Sequence, residues 1–286
     1  MPRILIAGCG YVGAAAADLF HARGWELEGW TATSESAQQL AAKPYRVRAV
    51  DFTRAEAIAA GERFDAVIHC ASSRGGNAAD YRRIYLEGAQ NLAASFPDSL
   101  LLFTSSTSVY AQSGGEWVTE LSVAEPATET GRILRETEEL VLAADGIVAR
   151  LSGIYGPGRS ALLRKFLAGT ASIDPEPRFI NQAHRDDIAA ALFLLAERGV
   201  NRSAAGIYNV SDGNPILQRD AYAWLAAHLQ RALPPTAALA GERKRGKSNK
   251  RVSSAKLQAL GWQATYPTFE AAMTDSILPQ LAVCGA

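Results

Sequence analysis

Ala7-Gly8-Cys9-Gly10-Tyr11-Val12-Gly13 follows the apolar run Ile4-Leu5-Ile6 and leads into Ala14-Ala15-Ala16-Ala17-Asp18-Leu19-Phe20. The order reads strand, glycine turn, helix. In a dinucleotide site of this form Gly8 permits the tight turn, Gly10 lets backbone approach a pyrophosphate, and Gly13 lets the helix pack closely on the strand. The phosphates sit at the positive end of the helix, against the turn that Tyr11 and Val12 complete. With 24 glycines in 286 residues the spacing alone arises by chance. The flanking strand and helix give it weight, against the competing reading of an ordinary strand-to-helix turn.

Downstream, Trp25 to Trp30 reads as a second strand, and Thr31-Ala32-Thr33-Ser34 follows where a dinucleotide site meets the adenosine ribose. An NAD site usually places an acid about 20 residues past the glycines, whereas an NADP site avoids it. Thr31, Thr33 and Ser34 offer hydroxyls in its place, which favours NADP over NAD; a plain polar loop explains the same residues.

Arg46 to Val50 is a third strand ending at Asp51-Phe52, with a helix expected from Thr53 to about Ala60. Asp65 to Ala71 is a fourth, whose end Ala71-Ser72-Ser73 lies at the carboxyl edge where open α/β sheets bind ligands. His69, after Val67-Ile68, is expected to be a core histidine. A helix from about Ala78 to Phe96, a strand Leu100 to Thr104, a hydroxyl-rich turn Ser105 to Ser108, a helix Glu129 to Ala143 and a strand Gly146 to Leu151 follow. Such alternation calls for a parallel, doubly wound α/β sheet of Rossmann type.

Lys+Arg and Asp+Glu both number 29, so no general attraction to nucleic acid or an anionic membrane is expected. Cys9, Cys70 and Cys284 show no CxxC spacing and read as reduced structural thiols. No run of 18 apolar residues occurs, and a soluble cytoplasmic protein is expected.

Together these segments resemble the extended short-chain dehydrogenase/reductases, which include nucleotide-sugar epimerases and dehydratases. Besides the glycine turn, the resemblance rests on Asp51-Phe52, Val67 to Ala71, Thr104 to Tyr110 and Arg150-Leu151-Ser152-Gly153-Ile154-Tyr155-Gly156-Pro157-Gly158-Arg159. Further on it includes His184-Arg185-Asp186-Asp187-Ile188, Ile207-Tyr208-Asn209-Val210 and Leu260-Gly261-Trp262. It implies an NAD(P)-binding domain over 1–154 and about 184–200, and a small substrate-binding domain over about 155–183 and 201–286. It also implies that Asp51 and Phe52 border the adenine, and that a homodimer forms by family analogy.

The family's catalysis uses a Tyr-xxx-Lys pair with an upstream serine or threonine. Ser106 matches the last of these. Counted back from Glu138, the tyrosine position falls on Thr130 and the lysine position on Leu134. Tyr110 and Tyr155 are weighed as replacement proton donors, each against a packing role. Arg132 and Arg135 are weighed against a solvated helix face. The run Glu242 to Arg251 holds six basic residues in ten. In the family this region borders the substrate cleft, so Lys247, Lys250 and Arg251 are candidates to hold an anionic substrate, against a solvated loop. The expectation is an NAD(P)-dependent enzyme acting on a small hydroxyl or carbonyl substrate, with a non-catalytic NADP(H)-binding sensor or scaffold as the alternative.

Overall fold

The computed structural model describes residues 1–59, 61–236 and 248–284. Seven parallel strands form one sheet: β1 (Arg3–Ala7), β2 (Glu26–Thr31), β3 (Arg46–Ala49), β4 (Ala66–His69), β5 (Leu100–Ser106), β6 (Ile147–Leu151) and β7 (Gly206–Val210). Their order is β7-β6-β5-β4-β1-β2-β3. The chain therefore reverses direction across the sheet between β1 and β4, which opens a crevice at their carboxyl ends.

Alternation along β1 divides the core. Ile4 and Ile6 face one apolar cluster, Leu5 and Ala7 the other, and all four are fully buried. On the first face, helix α1 (Tyr11–Ala22) lays Ala16, Ala17 and Phe20 against Leu192, Leu195 and Ala196 of the helix Arg185–Val200. The small side chains let the two helices approach closely. On the second face lie a continuous helical run, Ala78–Tyr81, Arg82–Glu87 and Gly88–Ser95, and the helix Glu129–Ala143. Thr128 caps the latter by accepting from the Gly131 N–H at 3.2 Å, and its buried residues Ile133, Leu134, Thr137, Glu138 and Val141 form one stripe.

The helix expected from Thr53 to about Ala60 does not form among the described residues. Only a single 3-10 turn, Ala55–Ala57, is present. Asp51 explains this: its Oδ1 accepts from the Thr53 N–H at 3.2 Å and the Thr53 hydroxyl at 2.7 Å, closing a local turn that competes with a helix. An unexpected short helix, Ser34–Gln39, begins at the last residue of the predicted hydroxyl loop. The middle of the 78–96 helix widens into a π segment, Arg82–Glu87.

A third apolar cluster lies outside the sheet. It joins Tyr155, Leu163, Phe166 and Ile173 to Tyr222, Leu225, Phe269, Met273 and Ile277. No helix among the described residues is long and apolar enough to cross a membrane.

Candidate functional site

The glycine turn is tied into the sheet by backbone alone. Gly8 and Cys9 both donate to the Trp30 carbonyl, at 3.1 and 2.7 Å, and Gly10 donates to the Gly8 carbonyl at 2.8 Å. Gly8 has φ +107°, and a Cβ there would fall 2.3 Å from Ala71 N. A side chain is excluded by both conformation and space. This contact seats Cys70 and Ala71, just past β4, against the turn. A Cβ on Gly13 would meet the Gly8 carbonyl oxygen at 2.2 Å, whereas one on Gly10 would meet nothing within 4 Å.

Gly10 caps α1 without a side-chain acceptor. Among the described residues the N–H groups of Tyr11, Val12 and Gly13 meet no protein carbonyl outside the helix. An open cradle with free amides at the start of a 12-residue helix suits a dinucleotide pyrophosphate. The Tyr11 ring closes one side, flanked by the guanidinium groups of Arg159 and Arg185 at 5.3 and 5.1 Å, while its hydroxyl donates to the Pro157 carbonyl at 3.0 Å.

Beyond the turn, Phe52 is buried edge-on against His69 at 5.1 Å, and Asn91 holds the Phe52 carbonyl at 3.0 Å. His69 is fully buried, bonds the Ile84 carbonyl at 3.0 Å through Nε2, and has its pKa pushed down to about 4 by burial. It is a core histidine. The hydroxyls after β2 have local duties: Thr31 donates to the Thr33 carbonyl at 3.1 Å, and Thr33 caps Ser34–Gln39 by accepting from Ser36 N at 3.2 Å. Ser34 is exposed, as is Ser72, whose hydroxyl accepts from Arg74 N at 3.2 Å.

At the end of β5 the hydroxyls divide. Ser105 is buried and donates to Glu138 at 2.6 Å. Ser106 is part-exposed, and its Oγ accepts from Ser108 N at 3.2 Å, which turns the chain into the 3-10 turn Thr107–Val109. Glu138 also accepts from Arg135 and from Arg150, whose Nη1 donates to the Tyr110 hydroxyl at 2.8 Å. That hydroxyl in turn donates to Asn209 of β7 at 2.9 Å.

Neither tyrosine considered for proton transfer is open to a substrate. Tyr110 is fully buried with its hydroxyl engaged on both sides, and burial raises its pKa. Tyr155 lies in the third apolar cluster at 1% exposure, its hydroxyl donating among the described residues only to the Thr268 carbonyl at 3.5 Å, and burial raises its pKa as well. Thr130 is part-exposed, its hydroxyl 3.3 Å from that of Thr128, and Leu134 belongs to the core.

Lys247 lies outside the described residues, with most of the basic run. Arg251 is spent on structure: Nε donates to the Gly115 carbonyl at 2.7 Å, and the guanidinium lies over the Trp117 and Phe179 rings. Buried Lys250 donates to the Tyr110 carbonyl at 2.9 Å. Two features had no sequence signal. Asp212, just past β7, is 6% exposed with its pKa pushed up to about 8 by burial. Arg178 and Gln182, between Pro177 and Ala183, each hold a buried polar atom, Nε and Oε1, that no group among the described residues meets.

An open glycine cradle at the switch point of a seven-stranded parallel sheet defines a dinucleotide-binding Rossmann protein. The model of the NAD dependent epimerase/dehydratase family matches residues 4–211, and the chain belongs to that family. Protein YeeZ of Escherichia coli (strain K12) is 30% identical, across 73% of this chain and 77% of its own length. A protein from Methylobacillus flagellatus described as an NAD-dependent epimerase/dehydratase superposes with TM-score 0.78 at 28% identity, covering 100% of this chain and 99% of that one. The human epimerase family protein SDR39U1, solved with NADPH, shares the fold at TM-score 0.72 and 18% identity, over 96% and 98% of the two chains.

Proposed function

We propose that this chain is an NAD(P)-binding oxidoreductase of epimerase/dehydratase type acting on a small hydroxyl or carbonyl substrate, sugar-like or anionic, with NADP(H) as its cofactor. One observation carries the reading: the open glycine cradle after β1 and the part-exposed Ser106 at the end of β5 share the carboxyl edge of one parallel sheet.

A nicotinamide dinucleotide bound there supplies hydride exchange. The amides of Tyr11 to Gly13 bind its phosphates, Ala71 and Ser72 border it just past β4, and Asp51 and Phe52 border the adenine. Ser106 hydrogen-bonds the reacting oxygen. Its hydroxyl has one donor and two acceptor sites, so it can donate to a substrate while still accepting from Ser108 N. The NADP preference rests on Thr31, Thr33 and Ser34, which stand where an NAD site usually carries an acid that would repel a 2′-phosphate.

A second reading is a non-catalytic NADP(H)-binding sensor or scaffold. It draws on Thr130 and Leu134, which by the spacing from Glu138 replace the family's tyrosine and lysine. A threonine hydroxyl is too weak an acid to stand in for a phenol, and Leu134 is 3% exposed in the core.

Fluorescence titration with NADPH and NADH, followed by a turnover screen of aldehydes, ketones and sugar derivatives, tests both. NADPH binding more tightly, with turnover that falls in Ser106→Ala while cofactor affinity holds, supports the enzyme. Tight NADPH binding with no turnover across the panel supports the sensor. Failure to bind either cofactor overturns both.

A further inference from the structure

Tyr85 stands on the π segment Arg82–Glu87, in the helical run that follows β4. It is 8% exposed, and other rings hold it in place: His69 stacks on it at 6.1 Å, Phe103 of β5 meets it edge-on at 6.1 Å, and Tyr81 tilts against it at 4.9 Å. Its hydroxyl leaves this apolar packing and accepts from Ser73 N at 3.3 Å, on the loop just past β4. A π turn re-aims the side chains that it carries, and such turns gather at functional sites.

Among the described residues the Tyr85 proton meets no acceptor. Ser73 Oγ is buried with no hydrogen-bond partner among them either. The hydroxyls of other buried tyrosines are spent differently: Tyr110 donates to Asn209 and accepts from Arg150, and Tyr155 donates to the Thr268 carbonyl. A polar group withdrawn from water without a partner is costly, and two on touching segments mark a place that a ligand completes.

That place adjoins Ser106. Strands β4 and β5 are neighbours, with His69 in register with Phe103, and the Thr104 hydroxyl donates to the His69 carbonyl at 3.1 Å. Ser73 follows His69 and Ser106 follows Phe103 along these two strands, so both leave the sheet at the same edge, where adjacent chains run about 4.8 Å apart. The helix Glu129–Ala143 packs on the other side of Tyr85. Its Leu134 shares an apolar cluster with Tyr85, and its Glu136 pairs with Arg82 at 3.1 Å.

We propose that Tyr85 is the proton donor of the site, its hydroxyl aimed at the same substrate oxygen that Ser106 meets. This rests on the function proposed above. In reduction of a carbonyl, the oxygen gains the phenolic proton while the carbon gains hydride from a reduced nicotinamide, so C=O becomes CH–OH and the cofactor is oxidised. The Tyr85 oxygen, left negative, keeps the hydrogen bond from Ser73 N and recovers a proton from water. Oxidation of an alcohol reverses each step.

Two readouts test this, with Tyr81→Phe as the control for ring packing. The first is the infrared carbonyl stretch of 4-nitrobenzaldehyde added to NADP⁺-saturated protein, where no hydride is available. Loss of a donor should move it to higher wavenumber in Tyr85→Phe and leave it at the wild-type position in Tyr81→Phe. The second is NADPH oxidation by 4-nitrobenzaldehyde, glyceraldehyde and cyclohexanone. Tyr85→Phe should lower kcat about 100-fold or more, with NADPH affinity and melting temperature held, since only one oxygen is removed. Tyr81→Phe should keep its turnover. A stretch that is the same in Tyr85→Phe and wild type, or a kcat that survives the substitution, overturns the proposal. So does a wild-type protein that binds NADPH and turns over none of the three carbonyls. Failure of the wild type to bind NADPH refutes the underlying function instead.

Discussion

Glu138 and Arg150 are joined by two hydrogen bonds, Nε to Oε1 at 3.0 Å and Nη2 to Oε2 at 2.7 Å, where neither exposes more than 1% of its surface. The pair ties the helix Glu129–Ala143 to β6. Through the Tyr110 hydroxyl it reaches Asn209 of β7, and through Ser105 it anchors the end of β5 beside Ser106.

Removing one member of a buried ion pair strands the other charge, so Arg150→Met should cost about 3–5 kcal/mol. Urea denaturation reads this directly. A loss under about 1 kcal/mol, the value expected of an exposed pair, would show that water already screens the site.

The glycines of the turn should separate fold from binding. Gly8→Ala places a methyl against Ala71 N in a left-handed backbone and should lower both the melting temperature and NADPH affinity. Gly10→Ala meets no protein atom within 4 Å, so stability should hold while NADPH affinity drops about tenfold or more. Equal affinity in Gly10→Ala and wild type would show that the cradle holds no phosphate.

Asp212 sets a pH dependence of known sign. Its folded pKa of about 8 lies above the unfolded carboxylate value, so the native state keeps a proton that the unfolded chain loses. Its contribution is fully present below the unfolded pKa and disappears as pH rises to about 8. Asp212→Asn keeps an oxygen to accept from Asn214 N and should gain on wild type with rising pH across that window, by up to about 1.4 kcal/mol per unit. Parallel urea curves at pH 5 and pH 8 decide the point, and a constant difference would rule out a buried neutral carboxyl.

His69 acts in the opposite direction. Its pKa falls from 6.5 to about 4 on folding, so the stability that it contributes above pH 6.5 is lost as pH falls through 4. In His69→Gln the acid-induced loss between these values should shrink. An acid transition identical to that of wild type would place the titration elsewhere.

Much of the architecture could be read locally. The helix Glu129–Ala143 has the predicted bounds because its buried stripe and the Thr128 cap are both written within 16 residues. The turn at Gly8 to Gly13 was legible for the same reason. The helix expected after Thr53 failed because Asp51 closes a turn of its own, and Ala55 and Ala57 are exposed rather than forming an apolar face. Ser34–Gln39 escaped notice because none of its residues is buried, so it carries no hydrophobic period.

The sequence by itself determined the Rossmann class, the family and the glycine cradle, since each depends on residues a few positions apart. Tertiary structure decided which polar groups are consumed and which are left open. Tyr110 is satisfied by Asn209, 99 residues away, and Arg251 by Gly115, 136 residues away, whereas the Oε1 of buried Gln182 meets no partner among the described residues. Whether a buried donor finds its acceptor depends on what the folded chain brings to it across the sheet, and no local pattern encodes that.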